Sequence, residues 1–250
     1  MIKDILTEDI LKSGKFWTHS LTLIENCTKI SDGCLHCWSE SMYLRNGGTR
    51  FNGKVIERLD RLKKILPTSR KRAPRVWTYW NDLFHEGVSY QFLCRFFGLL
   101  NKSDDYHIIC TKRPEIAIEF IRCHLITYHA RNHIIILISM ENQETVNKRA
   151  PFAAQLSDMG WNVGALIEPM LSSVDFNQTA LEPIYYDGWN SHLQWVICGP
   201  ENGPGKRPFD PQWALSLRNQ CRNTGVPFFF KANGGVFRKG NVATLELPEL

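Results

Sequence analysis

Seven short apolar runs punctuate the chain: Leu21–Ile24, Val76–Trp80, Tyr106–Cys110, His133–Ser139, Asn162–Ile167, Leu193–Cys198 and Val226–Phe230. They are short and apolar along their length, the pattern of strands covered on both faces. Between them the apolar positions move to helical spacing. Residues 4–12 are predicted to form a short amphipathic helix, and Ser39–Arg45 another. The stretch Val55–Leu66 places Val55, Ile56, Leu59, Leu62, Ile65 and Leu66 on one helical face, which Pro67 ends. Ser89 caps a helix through Leu100, and Pro114 opens one that runs to about Tyr128. Asn142–Asp158 is helical but interrupted by Pro151, and Asp210-Pro211 starts a helix that Gly225 stops after Thr224. Ser172–Ser191 is irregular, and Val242–Leu247 is a candidate edge strand.

Strands alternating with helices predict an α/β fold with mostly parallel strands and helices outside. An open or partial TIM-like (β/α) barrel and a doubly wound sheet both satisfy the pattern. One domain over residues 1–250 is expected: an N-terminal helix within 1–16, a β/α core over 17–231 and a tail over 232–250. The length, 250 residues with 43% hydrophobic content, suits a single barrel-sized core. No run reaches the roughly 20 apolar residues of a membrane span. The first residues, Met1-Ile2-Lys3-Asp4, do not read as a secretion signal. Eight cysteines without one point to a reducing, cytoplasmic compartment. The formal charge is +5, with cations concentrated between Arg61 and Arg75. That stretch is a candidate DNA-phosphate contact, or a solvated helix face and loop.

The cysteines change the picture most. Cys27, Cys34 and Cys37 form a C-x6-C-x2-C pattern between a strand and a helix. Three thiolates holding a four-iron cluster leave one iron open to an outside ligand. The alternative is a zinc site completed by His36, His19 or His85. A second paired-cysteine knuckle, usual in zinc ribbons, is missing from the sequence. Cys94, Cys110, Cys123, Cys198 and Cys221 are scattered singly.

Nearly every apolar run ends in polar residues: Asn81-Asp82, Thr111-Lys112-Arg113, Met140-Glu141-Asn142, Glu168-Pro169, Gly199-Pro200-Glu201-Asn202-Gly203 and Lys231. In parallel α/β folds the carboxyl ends of the strands share one rim, where active sites form. Each residue also has a plainer role. Asp82 and Asn142 are candidate helix caps, Lys112 and Arg113 candidate surface ion pairs, and Lys231 a candidate snorkelling lysine. Glu168 follows an apolar run directly and needs a partner.

These motifs, from Cys27-Thr28-Lys29 through Asn81-Asp82-Leu83-Phe84-His85-Glu86 and Gly199-Pro200-Glu201 to Phe228-Phe229-Phe230-Lys231, together resemble the phage-associated three-cysteine proteins. Those proteins are similar to radical SAM enzymes. The first cysteine gap is longer than the usual C-x3-C-x2-C, and His36 stands where an aromatic residue commonly precedes the third cysteine. The loop has Pro200 and Asn202 where that family usually has glycine and serine. The resemblance implies a [4Fe-4S] cluster on Cys27, Cys34 and Cys37, and S-adenosyl-L-methionine (SAM) on the open iron. Reductive cleavage of SAM would start hydrogen-atom abstraction from a substrate, with a modified nucleobase of phage DNA as one candidate. Asp82, Lys112 and Arg113 would position SAM, Glu141 and Asn142 would meet its ribose, and Gly199 would let backbone approach. Glu168, Glu201 and Lys231 would face substrate. A reductant such as flavodoxin or ferredoxin would supply electrons. Two other readings remain open at this point: a zinc-dependent nucleic-acid-binding or hydrolytic protein, and an iron–sulfur electron-transfer partner.

Overall fold

All seven predicted strands pair in one parallel sheet. They are β1 (His19–Thr22), β4 (Val76–Trp80), β5 (Tyr106–Thr111), β6 (Ile134–Ser139), β7 (Asn162–Ile167), β8 (Trp195–Cys198) and β9 (Phe228–Phe230). The computed structural model describes Ile5 and residues 15–66, 74–123, 131–178, 192–203 and 205–231. The helix expected at 4–12 (Ile5 apart), the end of the helix after Pro114, most of Ser172–Ser191, residues 67–73 of the basic stretch and the tail strand lie outside the described residues.

Each strand lies beside the one before it in the sheet order, β1-β4-β5-β6-β7-β8-β9. The order never reverses, so there is no switch point of the doubly wound kind. The sheet instead curls into a half-barrel, a partial α/β barrel. Five helices accompany it: α1 (Trp38–Arg45), α2 (Tyr90–Leu100), α3 (Pro114–Cys123), α4 (Gln143–Asp158) and α5 (Pro211–Thr224). Among the described residues no helix is long and apolar enough to cross a membrane.

Period-2 alternation explains why the strands are apolar throughout. Ile134, Ile136 and Ile138 belong to the larger core, together with Phe96 and Phe97 of α2 and Phe120 of α3. Ile135 and Leu137 belong to a second, inner core with Val76, Ile108, Trp195 and Phe229. Phe16, just before β1, fills the inner core, its ring edge-on to Trp195 and Phe229.

Two local expectations are corrected. Val55–Leu66 is not one amphipathic helix. Ile56–Glu57 forms β3, antiparallel to β2 (Ile24–Glu25), and Leu59–Ile65 winds as a 3-10 helix. The pairing with β2, reinforced by Arg58 donating to Glu25, overrides the helical stripe. Only Leu62 and Ile65 of that stripe are buried, while Ile56, Leu59 and Leu66 are exposed. The second correction is α4, which runs unbroken through Pro151.

Candidate metal centre and its cavity

The inward-facing parity of each strand continues past its end. Ile108 and Cys110 lead to Lys112, Leu137 and Ser139 to Glu141, Leu166 to Glu168, Ile197 to Gly199 and Glu201, and Phe229 to Lys231. Side chains two residues apart share a face, so the polar residues after the strands emerge on the inner side of the half-barrel. A cavity opens there, with about 1250 Å³ of empty space counting its mouth. Cys27, Cys34 and Cys37 line it, as do Asp82, Lys112, Arg113, Glu168, Glu201 and Lys231. Of the expected site residues, Glu141, Asn142 and Gly199 are not among its walls.

The cysteine loop is tied down at several points. Asn26 adopts a left-handed backbone (φ 72°), and its side-chain oxygen accepts from the backbone N–H of Cys27 (2.7 Å) and of Asn52 (2.9 Å). Asn81 after β4 is also left-handed (φ 62°) and joins Ile24 to Ser39 at the start of α1. Asparagine tolerates this region better than most residues. Cys37 caps α1, where the backbone N–H groups of Ser39 and Glu40 face its thiol. Gly33 lies against Glu141, and a Cβ there would come within 2.5 Å of the Glu141 side chain. On the far side Glu201 accepts from His36 (3.0 Å) and from Arg207 (2.9 Å), whose guanidinium also reaches the Asp32 carbonyl.

Burial, then the Asp82 carboxylate, pushes the Cys27 thiol up to about 11, against the opposing pull of Arg113. Burial also raises Cys37, against the donors at the start of α1. Without a metal, Cys27 and Cys37 are therefore neutral at pH 7, and metal binding would release their protons. Cys34 is close enough for its charge to act on both other thiols.

Several charged residues have partners other than those expected. Asp82 accepts four hydrogen bonds: from the Phe84 N–H, the Thr111 hydroxyl, the Lys112 N–H and Arg113. That fills an ionised carboxylate and leaves no lone pair for a ligand ammonium. Arg113 is buried and reaches Glu86 (2.6 Å), Thr28 (2.5 Å) and Asp82 (3.1 Å). Glu141 is fully buried among Lys112, Arg149 (2.7 Å) and Ser31 (2.7 Å), which removes it from any ribose. Asn142 forms a capping box with Thr145 at the start of α4. Gly199 has room for no side chain beside Lys231, whose Cβ lies 3.2 Å from where one would start. Lys231 donates to Glu168 (2.5 Å) and lies over the ring of Trp17. In the basic stretch, Arg61 pairs with Glu25 and Arg75 with Asp105.

The donor set can be weighed against the two metal readings. Among the described residues no three His, Cys, Asp or Glu side chains gather closely enough for a single ion. In a multi-iron cluster each thiolate takes its own iron, so three thiols spread around one cavity fit a cluster better than a tetrahedral zinc. The histidines considered for zinc are engaged elsewhere. His36 bonds Glu201, His85 contacts Thr28 and the Gly87 N–H, and His19 contacts Thr18.

With this geometry in view, comparison with known proteins is brief. Residues 14–245 match the family model described as "Protein of unknown function (DUF5131)". The chain belongs to this family. No curated protein and no solved structure gives a significant match. Family membership covers nearly the whole half-barrel and leaves the chemistry to be argued from the residues.

Sequence reasoning missed Asn26, Gln143, Arg149 and Arg207. Arg149 and Arg207 lie in helical or loop stretches with no local sign that they hold rim carboxylates. Asn26, directly before the first cysteine, carried a readable signal, because asparagine is favoured where a left-handed residue is needed.

Proposed function

We propose that this protein is an iron–sulfur enzyme of the radical SAM type, built on a partial TIM-like barrel. Cys27, Cys34 and Cys37 would hold a four-iron cluster whose remaining iron takes SAM. The observation that carries the reading is the meeting of three thiols on one cavity at the carboxyl rim of a parallel half-barrel. When bound, the cluster would supply the electron that cleaves SAM and begins hydrogen-atom abstraction. The chain's own residues have separable tasks. Asn26 and Asn81 set the entry and exit of the cysteine loop. Asp82 and Arg113 fix the ends of β4 and β5 beneath it. Phe16 and Leu166 floor the cavity with apolar surface and exclude water. Lys231 and Glu168 present the cavity's paired donor and acceptor to substrate, and Lys112 adds a partly exposed ammonium.

Anaerobic purification tests this directly. The expected result is a brown protein with about four irons per chain, whose reduced electron-resonance signal shifts when SAM is added. Cys34→Ala should abolish the iron, while Cys94→Ala, on the exposed side of α2, should retain it. A colourless protein with one zinc, or a cluster indifferent to SAM, would overturn the reading.

A further inference from the structure

The six large apolar side chains that stand exposed among the described residues are confined to one part of the chain. Ile30, Leu35 and Trp38 belong to the cysteine loop and the start of α1. Ile56, Leu59 and Leu66 belong to β3 and the 3-10 helix after it. The two stretches are stitched together. β2 pairs with β3, Gly53 N–H donates to the Cys27 carbonyl, and Asn26 and Asn52 bond side chain to side chain. Elsewhere such side chains are covered, so this concentration marks an interaction surface.

Charge follows the same boundary. Residues 29–66 hold eight cations against four carboxylates, a net +4 of the chain's formal +5. Arg45, Lys54, Lys63 and Lys64 are exposed and have no carboxylate partner among the described residues. A second copy of the chain is disfavoured, because two such faces would repel. Nucleic acid would use the cations and would stack on aromatic rings, yet five of the six apolar groups are aliphatic. A bilayer would gain nothing from Asp60, whose side chain is 61% exposed in the middle of the patch. A protein surface with an apolar centre and an acidic rim complements all of these features.

We propose that residues 29–66 form the docking surface for a small acidic one-electron carrier protein. This rests on the iron–sulfur reading, since the surface includes the loop that bears Cys34 and Cys37. Docking there would bring the carrier against the loop that holds the cluster, while the cavity stays free for SAM and substrate. One electron would pass from carrier to cluster, leaving the carrier oxidised by one and the cluster reduced by one.

The test uses anaerobically purified protein and a bacterial flavodoxin as probe, with binding followed by calorimetry. Wild type should bind, and more weakly as salt rises. Lys54→Glu with Lys64→Glu, and separately Leu35→Ser with Leu59→Ser, should each weaken binding by about tenfold or more. All four positions are exposed, so folding should survive, and circular dichroism checks this. Arg95→Glu, on the outer face of α2, should leave binding unchanged. No flavodoxin binding, or equal binding by every variant, overturns the proposal. So does binding of a single-stranded oligonucleotide or of phosphatidylglycerol vesicles in place of flavodoxin. Iron and SAM response are measured on the same samples. Flavodoxin binding through these residues by an iron-free protein would sink the functional reading and leave the surface standing. SAM-responsive iron in a protein that ignores flavodoxin would do the reverse.

Discussion

At the scale of single residues, the site is held by groups that touch no ligand. Gly33 shows this best. Its place between Cys27 and Cys34 suggests backbone freedom, but its φ is not left-handed, and the structure gives a steric reason. A methyl group there would collide with Glu141, which cannot retreat because Lys112, Arg149 and Ser31 hold it. Gly33→Ala should therefore cost about 1–3 kcal/mol, as overpacking does, and should lower iron retention, read by thermal melting and metal analysis. Glu141 itself sets an acid limit. Burial alone would raise its carboxyl, but Lys112 and Arg149 outweigh burial and hold it at about 2, from an ordinary 4.5. A carboxyl lowered in the folded state stabilises above its unfolded pKa, and that stability is lost as pH falls toward the folded one. Wild type should lose roughly 3 kcal/mol from this group between about pH 4.5 and pH 2. Glu141→Gln should be less stable at pH 7, because it leaves two cations underpaired, yet show a flatter acid limb in urea titrations across that window. An equally steep limb in the variant would place the acid sensitivity elsewhere.

At the scale of elements, much was legible, and the failures have identifiable causes. The bounds of β7 and α5 follow from apolar pattern, the Asp210-Pro211 start and the Gly225 stop, all local signals. The stretch from Val55 to Leu66 failed because its fate depends on a non-local partner, β2, which lies some thirty positions earlier. Asn142 illustrates a different ambiguity. Its sequence position fits both a helix cap and a ligand contact, and the geometry shows a reciprocal cap with Thr145. Asn142→Ala should cost about 1 kcal/mol of stability, Asn142→Asp should restore most of it, and neither should alter SAM affinity. A loss of SAM binding without a loss of stability would return Asn142 to the site.

At the scale of the whole molecule, the half-barrel has to be closed without an eighth strand, and the residues that do so span the chain. Phe16 fills the inner core from the first strand's side to Trp195 of β8 and Phe229 of β9. Lys231, after the last strand, lies over the rings of Trp17 and Phe16 and pairs with Glu168, after β7. The pair crosses above Gly199, at the end of β8, where a side chain would meet Lys231. The sequence shows that Glu168 needs a partner but not that Lys231, sixty-three residues later, supplies it. Structure and chemistry therefore meet in one ion pair, and a mutant cycle can separate them. Lys231→Met or Glu168→Gln alone leaves a buried charge unmatched and should cost about 3–5 kcal/mol. The double variant removes both charges and should recover much of that loss in chemical denaturation, with iron content near wild type. If the pair only braces β7 against β9, the double variant should also regain SAM cleavage in the presence of substrate. If the pair orients substrate, as proposed, the double variant should be folded, iron-loaded and still inactive, because stability returns with charge balance while a donor and an acceptor at the cavity floor do not.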